Sequence, residues 1–337
     1  MIKKTTFLLP TILIGILLLT TSCRKSKKNA IVDSGQATQS YDVSLRQGWF
    51  PWAGYAGELV AMEEFDSVFN INLKINPGAD DIDPVKMVLS GTNDFGITSA
   101  EAIVLANQKG ADLIAIATVN YKSPTSFIVL DENINNPKDF EGKTIGILTG
   151  TETETVYRLL LEKNNISKEK INEVEAPYDL KAFINGYFDV YPGFIYSEPL
   201  ALEYQNIEYK LIKPENYNVE LIGAVYFTTR KYINENPELV QAFINALAMG
   251  WEKALQNPSM AISYLKEFDN TIDEERELAS LIKGREYFEG EGGRILFSSD
   301  STWNNLKDAL VLLQKVGPET DISESYDYSF VKIFHSN

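Results

Sequence analysis

Hydrophobic positions follow three regimes along this 337-residue chain. Residues 7–19 form one apolar run, preceded by Lys3 and Lys4 and followed by Thr20, Thr21, Ser22 and Cys23. Residues 24–40 are small and polar, with Arg24, Lys25, Lys27 and Lys28 among them. Such a segment buries too little apolar surface to order itself and predicts a flexible stalk. From Tyr41 onward the pattern switches between a period of two and a helical period. Strands are predicted at 43–45, 71–75, 94–98, 113–119, 126–130, 144–148, 173–176, 190–196 and 222–228, and helices at 58–69, 84–91, 99–108, 152–163 and 179–188. Two longer helices follow, each begun by Asn-Pro, at Asn236-Pro237 and Asn257-Pro258. In the first of these, Val240, Phe243, Ile244, Leu247, Trp251 and Leu255 recur at helical spacing and read as a core stripe.

Repeated βα units predict an α/β fold with mainly parallel sheets and helices on both faces. Two such sets occur in sequence, and the chain turns back towards the first after Val219. The expected organisation is therefore two lobes joined by two crossings, near 121–125 and 219–224. Lobe one is expected from 41–123 and 225–337, and lobe two from 124–224.

The first regime has the layout of a secretion signal over 1–22: a basic start, a short apolar middle and small residues at the cut. This stretch of 13 residues falls short of the roughly 20 needed to span a bilayer. Cys23, the only cysteine, resembles the lipidated cysteine of a lipobox, although Leu19 stands four residues ahead where the motif has leucine three ahead. An ordinary signal peptide with an incidental cysteine is the alternative. Lipidation is favoured because an unpaired thiol in an exported chain otherwise needs its own explanation. The expectation is a monomer held to an envelope membrane by a lipid on Cys23, with 23–40 as tether and its basic residues at the level of anionic headgroups.

Charge and composition narrow the chemistry further. The net charge is −16, and −18 without residues 1–22, which repels phosphate backbones and excludes nucleic acid as a partner. With Cys23 given to lipid, no thiol remains, and the sole histidine is His335, near the end. Nucleophile–histidine systems and Cys/His zinc sites are thereby excluded by composition. Asp81 and Asp83 lack the rest of a calcium loop, and Asp83 before Pro84 reads as a helix cap. No catalytic set, metal or cofactor is expected.

Three loops stand at the C-terminal ends of predicted strands, where open α/β sheets bind ligands. The first, 48–57, holds Trp49, Phe50, Trp52 and Tyr55 among glycines and Pro51, a stiff turn that offers flat faces to a planar ligand. Trp52 either stacks on a ligand or packs the surface, and Trp49 is expected to be structural. The second loop carries Thr98, Ser99 and Glu101, and the third Thr151, Glu152 and Glu154. Both read as Thr-x-x-Glu capping boxes, which explains each taken singly. Two such helix starts in opposite lobes could also grip one ligand from both sides, although their glutamates weaken any pull on an anion.

Several motifs then carry a family resemblance. Leu89-Ser90-Gly91-Thr92-Asn93-Asp94-Phe95-Gly96, the run from Asn136-Pro137 to Gly146, the pair Gly186 and Asp189, and Asn236-Pro237-Glu238 occur in order. The chain resembles the substrate-binding proteins of ABC importers for aliphatic sulfonates, taurine, nitrate and the thiamine pyrimidine precursor. Within loop 48–57, Trp49, Pro51 and Gly57 match the pyrimidine-precursor branch. Gly48, Trp52 and Tyr55 replace its acid, amide and histidine.

The resemblance implies a two-lobed, type II-like periplasmic binding protein with two hinge crossings, closing over a ligand delivered to an ABC permease. It implies ligand contacts at Trp52, Tyr55, Thr98, Ser99, Tyr121, Thr151, Tyr191 and Glu198. The ligand expected is a small heteroaromatic. A sulfonate or nitrate receptor is the nearest alternative, and it would need a cleft cation where only Arg46 lies near. A pyrimidine-synthesis enzyme is opposed by the missing Cys and His, and a purely adhesive lipoprotein leaves the aromatics unexplained. Cys23→Ser is expected to release the protein from the membrane fraction. A serine variant that still pellets with membranes, beside a wild type that takes up no labelled fatty acid, would remove the lipoprotein reading.

Overall fold

The computed structural model describes residues Ser40–Ser336, so the signal, Cys23 and almost all of the stalk lie outside the described residues. Ten strands are formed: β1 (Tyr41–Arg46), β2 (Ile71–Asn76), β3 (Phe95–Ser99), β4 (Leu113–Thr118), β5 (Thr125–Val129), β6 (Thr144–Ile147), β7 (Asn172–Glu175), β8 (Val190–Phe194), β9 (Lys210–Ile212) and β10 (Ala224–Thr229). They make two sheets, ordered β2-β1-β3-β10-β4 and β7-β6-β8-β5-β9. The chain leaves the first sheet after β4, builds the second, and returns to insert β10 between β3 and β4.

β1 is parallel to β2 and β3, and β6 to β7 and β8. β10 runs antiparallel to β3 and β4, and β5 antiparallel to β8 and β9. Four strands of each sheet therefore run the same way, as the mainly parallel expectation had it, and β10 and β5 are the reversed strands that make the sheets mixed. β5 and β10 are each reached by crossing from the other sheet, so no βα crossover imposes a parallel direction on them.

Local chemistry explains where helices hold and where they shorten. Glu152–Lys163 forms as expected, as do Pro237–Gln256 and Pro258–Phe268 behind their Asn-Pro starts. The 58–69 segment instead begins at Ala56 and widens to π geometry over Ala61–Phe65, where the Asp66 amide reaches the Ala61 carbonyl at 2.9 Å. Asn70, at φ 56°, then turns the chain into β2. The 179–188 helix shrinks to Lys181–Ile184, since Gly186 at φ 77° ends it. Helices Glu198–Glu203, Glu274–Lys283 and Asp300–Leu312, with β9, were not read from the sequence.

The expected core stripe of Pro237–Gln256 is buried throughout. Phe243 stacks on Phe95 of β3 at 3.9 Å between ring centroids. Close approach of this helix to Ala56–Val60 depends on two glycines. A Cβ on Gly250 would lie 2.3 Å from the Gly57 carbonyl oxygen, and one on Gly57 would lie 2.2 Å from the Trp251 ring. Because the obstacle at Gly250 is backbone, Gly250→Ala is expected to cost about 1–3 kcal/mol by overpacking. Chemical denaturation measures it; an unchanged midpoint would mean that the two helices can move apart freely.

Candidate functional site

The aromatic loop is fastened at both ends. The Gln47 amide donates to Asn76 O at 2.9 Å and the Gly78 amide to Trp49 O at 3.0 Å, tying the loop to the end of β2. Trp52 has extended backbone, and the short 3-10 turn Ala53–Tyr55 follows it. The Ala53 amide, otherwise an orphan at that turn, donates to Glu277 Oε2 at 2.8 Å, with Arg276 on the other carboxylate oxygen. Behind the loop, buried Glu58 accepts from Gln47 Nε2 at 2.9 Å and Tyr226 Oη at 3.0 Å. Trp251 Nε1 in turn donates to Tyr226 Oη at 2.8 Å. Burial pushes Glu58 up from 4.5 to about 8, against the pull of those two donors.

Trp52 crosses to the second sheet. Its ring stacks on Tyr196 at 5.7 Å and 15°, stands 6.0 Å from Phe194, and meets Tyr55 edge-on at 6.1 Å. Its Nε1 is buried near the Tyr55 hydroxyl but outside hydrogen-bond geometry. Tyr55 is itself buried, and its phenol is raised by burial and then by the Glu58 charge. Trp49, expected to be structural, also reaches the second sheet's side, with its ring 4.7 Å from Tyr178.

Polar groups collect around Gly223, where the returning chain enters β10. Ser99 pairs with Ala224, and Asn120 exchanges backbone hydrogen bonds with Gly223 and Ala224. Glu152 faces the same point, since a Cβ on Gly223 would lie 3.6 Å from its Oε1. That oxygen is buried without a partner. Burial raises Glu152 from 4.5 to about 7; the nearby Ser123 hydroxyl opposes the shift and the Glu101 charge adds to it. Asn120 Nδ2 approaches Tyr196 Oη at 3.5 Å.

The two lobes touch in this conformation. Lys315 Nζ lies 2.6 Å from both Glu101 Oε1 and Thr155 Oγ1, and Lys283 pairs with Glu203 at 2.7 Å. A cavity of about 20 Å³, room for one water, lies behind the crossings among Ser123, Thr125 and Leu221 rather than between Trp52 and Tyr196. Ring contact shuts the space between those two residues.

The structure thus gathers Trp52, Tyr55 and Ser99 around the cleft, with other expected residues elsewhere or otherwise engaged. Ser99, not Thr98, caps the Ala100–Gln108 helix by accepting from the Ala102 amide at 3.2 Å, and Thr98 leaves the strand on the opposite face. Thr151 makes no side-chain cap; its hydroxyl donates to Leu148 O at 2.7 Å. Both capping-box readings are therefore corrected, although Glu154 does accept from the Gly150 amide at 2.8 Å. Tyr191 belongs to the second sheet's core beside Phe183 and Phe188, and its hydroxyl is used by Pro177 O at 2.7 Å. Tyr121 sits by Lys122, which lies over the Tyr287 ring and pairs with Glu215 and Glu286.

Glu198 folds back to accept from the Phe194 amide at 2.6 Å, shaping the turn that presents Phe194 and Tyr196. Arg46 is held by Asn93 Oδ1 and Pro77 O. Phe194, Tyr196, Asn120 and Glu277 escaped the sequence reading. The aromatic pair at the end of β8 was the available signal for the first two. Among the described residues no group of three potential metal ligands occurs, and no helix is long and apolar enough to cross a membrane.

Two sheets joined by two crossings, with a cleft at their strand ends, define the periplasmic-binding-protein fold. The chain belongs to the NMT1/THI5-like family, whose model matches residues 67–261. It is 23% identical over 236 residues to the formylaminopyrimidine-binding protein of Halalkalibacterium halodurans, covering 68% of this chain and 71% of that protein. It is 27% identical over 179 residues to the riboflavin-binding protein RibY of Chloroflexus aurantiacus, covering 52% and 50%. Against the 4-amino-5-hydroxymethyl-2-methylpyrimidine phosphate synthase of Legionella pneumophila the identity is 23% over 295 residues, covering 86% and 92%. The periplasmic aliphatic sulphonate binding protein SsuA from Escherichia coli shares the fold at a TM-score of 0.66 and 15% identity, over 85% of this chain and 92% of that one.

The neutral buried Glu58 has a consequence for stability. Its folded value, about 8, exceeds the ordinary 4.5, so the folded state holds the extra proton between the two. Stability is expected to fall as pH rises through that window, by on the order of 3–5 kcal/mol from this group. Glu58→Gln should flatten the decline in Tm between pH 5 and 9, read by thermal denaturation. A variant as pH-sensitive as the wild type would place the effect elsewhere.

Proposed function

We propose that this protein is an extracytoplasmic solute-binding protein of an ABC importer, that it binds a small heteroaromatic ligand between Trp52 and the Phe194–Tyr196 wall, and that it does no chemistry on it. The observation that carries this reading is the near-parallel Trp52–Tyr196 pair across the cleft, with the Trp52 Nε1 left unpartnered. A planar ring inserted between the two would gain stacking on both faces. This reading takes 41–123 with 225–337 as one lobe and 124–224 as the other, a division that the two sheets support, and the crossings would serve as hinges. A lipid on Cys23 would hold the protein at the membrane that carries the permease.

Electrostatics favour a heterocycle over a sulfonate or nitrate. Glu152, Glu198 and Glu277 border the cleft, while the nearby cations Lys315, Arg276, Lys122 and Arg46 are each engaged by protein acceptors. Names among the relatives fit this preference, two being binding proteins for a pyrimidine and a flavin. One relative is named a synthase. Against catalysis here stand the lack of any cysteine other than Cys23 and a sole histidine, His335, that is exposed and whose Nε2 contacts Ile295 O.

Trp52→Ala is expected to weaken pyrimidine or flavin binding at least about tenfold, as truncation of a buried stacking residue does, with the fold intact. Calorimetry measures it, and small-angle scattering should show ligand-dependent compaction of a population that opens. Tight binding of alkanesulfonate or nitrate with no heterocycle bound would overturn the ligand assignment.

A further inference from the structure

Glu152 starts the Glu152–Lys163 helix beside the second sheet, yet what faces its carboxyl comes from other elements. Gly223 and Ser123 meet it from the two crossings, and neither titrates. Glu101 approaches from the Ala100–Gln108 helix of the first sheet's side. Tyr196 approaches from the end of β8, and its phenol is raised by burial first and by the Glu152 charge next, so it stays neutral. The cation at this point, Lys315, is already shared between Glu101 Oε1 and Thr155 Oγ1, at 2.6 Å from each. Glu152 Oε1 itself is buried without a partner. A carboxylate here has a like charge beside it and no counter-ion of its own, so the neutral acid is the favoured form. The start of its own helix favours the charge, and burial outweighs that pull. The resulting rise, from 4.5 to about 7, has burial as its first cause.

We propose that Glu152 couples closure of the two lobes to proton uptake: the closed form holds its carboxyl neutral, and the open form gives the proton to water. This rests on the two-lobe reading above and adds a control to it. Glu152 stands on one lobe, Glu101 on the other, and Gly223 on a crossing between them. Parting the lobes draws the carboxyl away from both and admits water to Oε1, which returns the group towards its ordinary 4.5. Between that value and about 7 the closed form binds the extra proton. The contribution of Glu152 to closure is therefore fully present below 4.5 and is lost as pH rises towards 7. Glu58, another carboxyl held up by burial, meets only Gln47, Tyr55 and Tyr226 of its own lobe, so lobe motion leaves its proton in place.

The test follows single-molecule energy transfer in the ligand-free chain, with Cys23→Ser removing the only native thiol and dyes carried on Val68→Cys and Tyr187→Cys. Both positions are exposed and precede β2 and β8, at the ends of the lobes away from the cleft, where a hinge motion moves them most. The closed-to-open ratio is expected to fall at least about tenfold from pH 5 to pH 8. Adding Glu152→Gln should hold the ratio within about twofold over the same range. Adding Glu101→Gln instead should move the fall to lower pH, because the like charge has gone and Lys315 is released. Two exchanging populations whose ratio ignores pH, or an undiminished pH dependence with Glu152→Gln, overturns the inference and leaves the hinged reading standing. A fall that Glu101→Gln moves to higher pH also overturns the inference. One fixed transfer efficiency at every pH overturns the inference and the hinged reading together.

Discussion

The insertion of β10 between β3 and β4 is the constraint on which the rest of the molecule depends. A strand that leaves one sheet, passes through a second and returns to the middle of the first cannot be detached without breaking two antiparallel ladders. Both sheets are thereby tied through the two crossings, and loop 48–57 meets the end of β8 where Trp52 lies against Phe194 and Tyr196. The same insertion sets the direction of β10, and with it the placement of Gly223 and Ala224 at the strand's start. Asn120, Ser99 and Glu152 meet there because the two crossings run side by side, joined by hydrogen bonds between Asn120, Gly223 and Ala224.

Behind the cleft, packing holds the aromatic loop to tolerances that a surface turn would not need. Gly57 and Gly250 let the Ala56–Val60 and Pro237–Gln256 helices touch along their backbones, which brings Trp251 to the Tyr226 hydroxyl and Tyr226 to Glu58. The chain of donors ends on Glu58, which also accepts from Gln47, the residue where β1 gives way to the loop. From the other side Glu277 fixes the Ala53 amide. Trp52 is thus presented between two anchors, one in the core and one on a helix more than two hundred residues away in sequence. Its ring orientation follows from backbone held at both ends, consistent with a wall built before any ligand arrives.

How much of this was legible beforehand depended on the range of the interactions. Period and caps located nine strands and the Asn-Pro helices, because alternation and an N-terminal proline are local signals. Mixed strand direction was not legible: nothing in the residues of β10 or β5 states which neighbours they will have. The Thr-x-x-Glu motifs misled for a related reason. Thr151 had a nearer acceptor in Leu148 O, and Glu101 was taken by Lys315 from a distant segment. Tyr191 was assigned to the site from its place at a strand end. The period of two sends it to the core face, whereas Tyr196, just past the end of the strand, turns into the cleft. Helix Glu274–Lys283 went unread altogether, and with it Glu277.

Acidity of the cleft links structure to selectivity. A receptor for an anion would leave a cation free, as counter-charge and hydrogen-bond donor together. Here Lys315 spans the lobes between Glu101 and Thr155, Lys122 is shared by Glu215 and Glu286, and Arg276 lies on Glu277. Each cation is used to hold one part of the protein against another. Beside these cations, the Trp52 indole N–H and Glu152 Oε1 are buried without a partner. On the proposed ligand reading, a ring that satisfies these buried groups would recover free energy that an anion would forfeit, since their desolvation has already been borne.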